Sequence, residues 1–202
     1  VSIEYRRIVN KTLLPFPTVS SYENNSMWVS VDFEDSSYVT HITPEKQVIT
    51  ESFSNNLYGR IKGIIPVNES EVLFISTRYT AICNNGALKK PLRVLSTENI
   101  PGNFIRGLPY ERLKANHPGS ILFAGENGIY EYVPAQQLLR PYSTSLYPEI
   151  NLSRQLMFSI KEDAWGNIWI GRDGSDGLLV YYPGKLKFEF LRAPSEYFNL
   201  VY

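Results

Sequence analysis

Apolar residues occur along the chain in short runs separated by turns that are rich in Pro, Gly and Asn. Four of these runs share a pattern of an apolar, an aromatic, an apolar and a small residue, at 27–30, 73–76, 122–125 and 168–171. Their aromatic residues follow one another at intervals of 46, 49 and 46 residues. They are Trp28, Phe74, Phe123 and Trp169. Short runs rich in Val, Ile, Thr and Tyr are typical of β-strands and leave little room for helices.

Each of these four runs is the second strand of a predicted four-stranded unit. In three units an apolar residue precedes the aromatic residue by nine positions, with a polar turn between them, which predicts a hairpin. These residues are Val19, Ile65 and Ile160. A third and a fourth short run follow each aromatic residue. A period of 40 to 50 residues with four strands is the signature of a β-propeller blade. The segment from Pro109 to Asn116 is predicted to be a loop or one short turn of helix.

The sequence therefore predicts an all-β fold, a β-propeller of four four-stranded antiparallel blades spanning residues 19–191. The predicted blades are 19–53, 59–95, 105–142 and 157–191. Residues 1–18 are predicted to hold the outermost strand of a preceding blade and a linker, and residues 192–202 the start of a following blade or a tail. Both ends cut through the repeat, which favours a fragment of a larger propeller over a closed four-bladed ring with a spare strand. The four repeated aromatic residues are expected to occupy equivalent positions and to pack between blades.

The fourth repeat has a more specific pattern. Residues 158–171 read Phe-Ser-Ile-Lys-Glu-Asp-Ala-Trp-Gly-Asn-Ile-Trp-Ile-Gly and are followed by Gly177 and Leu178. This stretch resembles the repeat of the two-component regulator propeller family, I-x-E-D-x-x-G-N-I-W-I-G-T followed by G-L. It departs from that repeat at Arg172, where Thr is usual, and by the insertion at 173–176. The other three repeats keep the strand plan but little of the motif. A sialidase-type Asp-box fits less well, since the stretch from Asp163 to Gly166 is one residue too long.

The resemblance implies a function. It implies the periplasmic sensor domain of a membrane-anchored hybrid two-component histidine kinase, which detects an extracellular cue such as an oligosaccharide. The remaining blades, a β-sandwich, a membrane helix and the kinase would belong to the parent chain, and a homodimer is a further expectation. Two alternatives stay open: a carbohydrate-active propeller enzyme and a protein-interaction scaffold.

Composition and charge exclude several other functions. The 202 residues include 20 Lys and Arg and 20 Asp and Glu, so the net charge is zero, and a nucleic-acid partner, which needs a basic surface, is not expected. The chain has one cysteine, Cys83, and two histidines, so neither a metal site nor a Cys–His nucleophile is expected. No nucleophile elbow, phosphate loop or dinucleotide loop occurs in the sequence. We therefore expect no cofactor and no catalytic residues in this segment.

A ligand site is predicted on one rim of the propeller. That rim is formed by the loops between second and third strands and by the loops that lead into each first strand. Arg and Tyr in these loops suit sugar or peptide recognition, because guanidinium groups form forked hydrogen bonds and phenol rings stack. The candidate residues are Tyr58, Arg60, Arg78, Tyr79, Arg106, Asn127, Arg172 and Asp173. A metal site at Glu162 and Asp163 is disfavoured, because adjacent residues on a strand point to opposite faces.

Overall fold

The structure is a computed structural model that describes residues 18–23, 25–96, 109–125, 128–142, 157–172, 178–185 and 187–191. The strand predicted near the start of the chain and the segment predicted after the fourth blade lie outside the described residues, at 1–17 and 192–202.

The described residues form sixteen strands in four groups. The first group contains β1 (Thr18–Glu23), β2 (Ser26–Asp32), β3 (Ser36–Ile42) and β4 (Val48–Ser54). The second contains β5 (Ile61–Pro66), β6 (Glu71–Ser76), β7 (Thr80–Asn84) and β8 (Ala87–Ser96). The third contains β9 (Tyr110–Arg112), β10 (Ile121–Gly125), β11 (Gly128–Val133) and β12 (Leu138–Pro141). The fourth contains β13 (Met157–Glu162), β14 (Ile168–Arg172), β15 (Leu178–Tyr182) and β16 (Lys187–Leu191). A four-residue helix, α1 (Asn55–Tyr58), connects the first group to the second, and 3₁₀ turns at Pro134–Gln136 and Pro183–Lys185 precede β12 and β16.

Each group is one antiparallel sheet whose strands pair in chain order. We number these sheets blades 1 to 4. Every pairing among the described strands joins strands that are consecutive in the chain, so these hydrogen-bonded ladders lie within blades and not between them. The prediction of four four-stranded antiparallel blades is confirmed.

Blades pack face to face through three apolar cores. In β6 every residue from Val72 to Ser76 is buried, because blade 2 has a neighbour on each side and both of its faces are covered. The core between blades 1 and 2 contains Trp28, Val39, Phe53, Ile64 and Phe74. The core between blades 2 and 3 contains Ile65, Leu73, Ile75, Ile121 and Phe123. The core between blades 3 and 4 contains Leu122, Ala124, Ile160, Ile168 and Ile170.

The prediction that the four repeated aromatic residues are equivalent is wrong. Phe74 and Phe123 pack against the preceding blade, whereas Trp28 packs against the following one. Trp169 is only half-buried, and Ile168 and Ile170 on either side of it fill the core next to blade 3. Because side chains alternate between the two faces of a strand, a shift of one position changes which neighbour a side chain meets.

The segment at 109–116 of the third predicted blade, predicted as a loop or a short helical turn, begins with a strand. Tyr110, Glu111 and Arg112 form β9, which pairs with β10 through Phe123, Leu122 and Ile121. Its polar side chains form contacts between blades. The Arg112 guanidinium donates to the Pro66 carbonyl of blade 2, and Lys161 of blade 4 donates to Glu111 at 2.5 Å. Because the polar side chains of β9 bond to neighbouring blades, this strand lacks the apolar run by which strands are predicted from sequence.

Three of the first strands carry a bulge or irregularity. The register shifts between Val19 and Ser21 in β1, between Ile61 and Gly63 in β5, and between Met157 and Ser159 in β13. A bulge adds an unpaired residue and redirects its side chain. In β5 that residue is Lys62.

Candidate functional site

The candidate rim is best described around blades 1 and 2. The β2–β3 loop lies against α1, since the Asn55 backbone N–H donates to the Asp35 carbonyl at 2.9 Å and the Asn55 side chain donates to the Phe33 carbonyl at 2.9 Å. The loop that leads into β5 is therefore fastened to the neighbouring blade. The rim loops of blades 1 and 2 form one continuous surface.

A close backbone approach brings Arg60 and Arg78 together. The Thr77 N–H donates to the Arg60 carbonyl at 2.9 Å, and the Arg60 N–H donates to the Thr77 hydroxyl at 3.0 Å. Gly59, at φ +74°, makes this possible, because a Cβ there would lie 2.7 Å from Thr77 Oγ1 and 2.9 Å from the Arg78 nitrogen. Both arginines are exposed. The structure thus presents two guanidinium groups from adjacent loops of blade 2 to solvent.

Two phenol rings lie at the base of this surface. The Tyr58 ring meets Phe53 edge to face, with centroids 5.3 Å apart, and the Tyr79 ring stacks on Phe74 at 5.7 Å. Both rings are partly buried against the core between blades 1 and 2. Burial raises the pKa of Tyr79 to about 12, with smaller contributions from Cys83 and Tyr58. Both aromatic rings are therefore packed against the core in the same two loops that contain the arginines.

Sequence reasoning missed a buried charged group beneath the rim. The Lys62 side chain is only 8% exposed and lies 3.9 Å from the Asp32 carboxylate, which is 32% exposed. Burial lowers the pKa of Lys62, the Asp32 charge partly offsets this, and the Arg60 charge lowers it further. The Ser37 hydroxyl lies 2.6 Å from Asp32 Oδ1. The only sign of this group in the sequence is a lysine inside the apolar run Ile61–Pro66. The side chain of Lys62 points inward because of a bulge in β5, which the sequence does not show.

The remaining predicted site residues are described only in part. Arg172 ends β14 opposite Met157, and nothing is described of its side chain. Arg106, Asn127 and Asp173 lie outside the described residues. The structure thus brings together four of the eight predicted residues, all on the rim of blade 2.

The acidic pair of the fourth repeat stabilises turns. Asp163 accepts hydrogen bonds from the backbone of Trp165 and Asn167 and, at 2.8 Å, from the Trp169 indole. Glu162 extends to blade 3, where its carboxylate accepts the backbone N–H groups of residues 114, 115 and 116 at 2.5, 3.1 and 3.0 Å. The two side chains diverge as expected for adjacent residues, and no group of three potential metal ligands occurs within the described ranges.

Cys83 is a core residue. Its side chain is fully buried, and its thiol donates to the Leu88 carbonyl at 3.4 Å. Burial raises the pKa of the Cys83 thiol to about 12, and the charge of Glu51 adds to this effect. A thiol in this state is not a nucleophile at neutral pH.

Blades of four consecutive strands, stacked through apolar cores, define a β-propeller. No helix of the described part of the chain is long and apolar enough to cross a membrane. No known protein-family profile matches the sequence, and no curated protein is significantly similar to it.

Solved structures of several known proteins share the fold. The extracellular domain of a hybrid two-component system from B. thetaiotaomicron matches with a TM-score of 0.55 at 12% identity, covering 87% of this chain and 22% of that one. A catalytically inactive variant of virginiamycin B lyase from Staphylococcus aureus matches with a TM-score of 0.57 at 11% identity, covering 90% and 57%. An auxiliary nutrient binding protein from Bacteroides thetaiotaomicron matches with a TM-score of 0.50 at 13% identity, covering 86% and 39%. The chain thus spans less than two thirds of each of these proteins, and at these identities the likeness shows the fold alone.

Proposed function

We propose that this chain is the ligand-sensing part of an extracytoplasmic propeller in a two-component sensor, and that its ligand is an oligosaccharide. Two observations support the sensor class: the motif of the fourth repeat and the fold shared with the extracellular domain of a hybrid two-component system. The fold shared with a nutrient binding protein agrees with a binding role. Because a lyase has the same fold, a carbohydrate-active propeller enzyme is the alternative proposal.

The choice of site rests on the two exposed arginines on the rim of blade 2. Arg60 and Arg78 come from adjacent loops, which also contain the packed rings of Tyr58 and Tyr79. Forked donors next to aromatic surfaces are the groups that bind sugar hydroxyls and ring faces. Arg106, Arg172, Asn127 and Asp173 would extend this site along the rims of blades 3 and 4.

The rest of the parent protein follows from the same proposal. Further blades would complete the propeller, and a β-sandwich and a membrane anchor would connect it to a kinase. A ligand that bridges the rim of blade 2 and the proposed extension on blades 3 and 4 would change the relative tilt of these blades, which is a signal that a downstream dimer can receive. The sequence of the parent gene tests this part, because the absence of a membrane segment and of kinase motifs would contradict it.

Calorimetric titration with an oligosaccharide library tests the site. Replacing both arginines, as Arg60→Ala/Arg78→Ala, is expected to weaken binding by about 1–3 kcal/mol. Lys90→Ala/Arg93→Ala on β8 removes two exposed charges from the outer strand of the same blade and serves as the matched control. Equal affinity in the rim variant and in wild type would remove the site from this rim. Turnover of a library member would favour the enzyme instead.

A further inference from the structure

A groove of about 440 Å³ lies between blades 3 and 4. It opens near the β9–β10 turn and the β15–β16 turn, which are at the opposite ends of the strands from the candidate rim. Its volume falls within the range of about 300–1,000 Å³ that is typical of small-molecule sites. We propose that this groove is a second ligand site, which binds one or two rings of a neutral sugar.

A buried carboxylate organises the polar side of the groove. Glu131 is only 1% exposed, and its Oε2 accepts a hydrogen bond from Arg140 Nε at 2.8 Å and forms an ion pair with a terminal nitrogen of Arg140 at 2.7 Å. Its Oε1 accepts from His117 Nδ1 at 2.8 Å. Arg140 and His117 remain 42% and 58% exposed, so both are accessible to a ligand while Glu131 holds them in place. This arrangement fixes the geometry of the donors before any ligand binds, which lowers the entropic cost of binding.

Two tyrosines and two prolines form the other side of the groove, where Tyr142 and Tyr181 are only 9% and 5% exposed and Pro141 and Pro183 supply the accessible apolar surface. The rings of Tyr142 and Tyr181 meet edge to face, with centroids 5.7 Å apart, and Pro183 lies at the same wall. Burial raises the pKa of Tyr142 well above its ordinary value, and Tyr181 and the nearby carboxylates raise it further. The phenol is therefore neutral at physiological pH, and it can both donate and accept a hydrogen bond.

The charges around the groove favour a neutral ligand over an anionic one. Glu131 and Arg140 cancel each other, and Glu162 adds a second carboxylate that acts on Tyr142. The groove thus has no positive excess to attract an anion. The N–H groups of Arg140 that are not paired with Glu131, the His117 imidazole and the proline surfaces match a molecule with many hydroxyl groups and an apolar ring face. A neutral sugar has both properties.

The hairpin that bounds the groove is held in place from two sides. His117 has φ +52°, a conformation that Asn also adopts readily. The adjacent Asn116 backbone N–H donates to Glu162, and the Asn116 side chain donates to the Gly166 carbonyl of blade 4. These bonds fix the distance between the blades at the groove. The site is therefore preformed.

Saturation-transfer NMR with glucose, xylose, maltose and cellobiose tests the proposal, with glucuronic acid as the anionic comparison. Sugars that show transfer are then titrated by calorimetry. In the main variant, Glu131→Leu/Arg140→Met, apolar groups of similar size replace the ion pair, a change that other buried pairs tolerate. A second variant, His117→Asn, keeps the backbone conformation. The matched control is Arg93→Met in the groove between blades 2 and 3.

We expect saturation transfer to at least one neutral sugar, a Kd about ten-fold higher in the main variant, and an unchanged Kd in the control; a ten-fold change corresponds to about 1.4 kcal/mol. Absence of transfer from every neutral sugar, tighter binding of glucuronic acid, or an unchanged Kd in the main variant would overturn the proposal. If the main variant does not fold, an unchanged Kd in His117→Asn overturns it. The rim variant Arg60→Ala/Arg78→Ala distinguishes this proposal from the function proposed above. If sugar binding is lost in the rim variant but not in the groove variants, the groove proposal is rejected and the rim proposal is retained.

Discussion

Replacing Glu162 with Gln tests the contact that joins blades 3 and 4. The Glu162 carboxylate accepts the three consecutive backbone N–H groups of residues 114–116. An amide has the same shape, but one of its two polar atoms is an NH₂ group that opposes these donors instead of accepting from them. The substitution therefore removes part of the contact without creating a cavity.

The magnitude follows from the number of bonds and their exposure. A hydrogen bond to a charged group contributes about 1.5–3 kcal/mol, but the three donors share one carboxylate and water reaches it, so we expect Glu162→Gln to cost about 1–3 kcal/mol in total. Desolvation raises the pKa of Glu162, but the backbone hydrogen bonds from Asn116, Lys114 and Ala115 outweigh it, and the folded-state pKa lies below the ordinary value of 4.5. The stabilisation is therefore complete above the unfolded-state pKa and is lost as the pH falls through the folded-state pKa.

Urea unfolding at pH 7 and at pH 3, together with hydrogen exchange, measures these effects. At pH 7 the variant should unfold at lower urea than wild type, and the amides of residues 114–116 should exchange faster. The difference in stability should shrink at pH 3. Glu189→Gln serves as control, because Glu189 lies on the surface and interacts with Lys187 and Tyr182 of its own blade rather than with another blade. Equal stability at pH 7, or a deficit of the same size at both pH values, would refute the reasoning.

Three further predictions follow from packing and backbone geometry. Phe74→Ala should lower the free energy of unfolding in urea by about 3–5 kcal/mol, because the ring is fully buried between blades. Trp169→Phe should lower it by about 1 kcal/mol, since this change mainly removes the hydrogen bond to Asp163. Similar losses in both variants would contradict the assignment of the cores. Gly59→Ala should cost about 2 kcal/mol, from positive φ and the contact with Thr77, while Gly86→Ala, with open space around it, should leave the melting temperature unchanged. Cys83 should resist iodoacetamide at pH 8 in the folded protein and react in urea, because burial raises its pKa to about 12; rapid labelling without urea, detected by mass spectrometry, would show that the core is open.

The blade architecture could be predicted from the sequence because it depends on spacing alone. Runs at a period of 46–49 residues determine the number of blades, and turn residues determine the hairpins. The face of each aromatic residue could not be predicted, because both faces of an inner blade are buried and both odd and even positions of β6 are apolar. β9 was missed because Glu111 and Arg112 are polar and form bonds to other blades.

The site was predicted in part for a similar reason. Rim loops follow from the strand order, so Arg60 and Arg78 could be identified from their place in the sequence. Their proximity depends on the backbone hydrogen bonds of Thr77, and the inward position of Lys62 depends on a bulge in β5. Neither the groove between blades 3 and 4 nor the pairing of Glu131 with Arg140 has a sequence signal, because both arise where segments of different strands meet.

The confinement of each ladder to one blade has a consequence for folding. Each sheet is built only from pairs of consecutive strands, so a blade closes short loops and incurs little loop-closure entropy. A nascent chain could therefore complete blade 1 before blade 2 has been synthesised, and each new blade would dock on an existing face. Stability should then propagate from neighbour to neighbour along the array, as in other repeat proteins, and a duplication or deletion of one whole unit would preserve every hydrogen-bonded pairing of the units that remain.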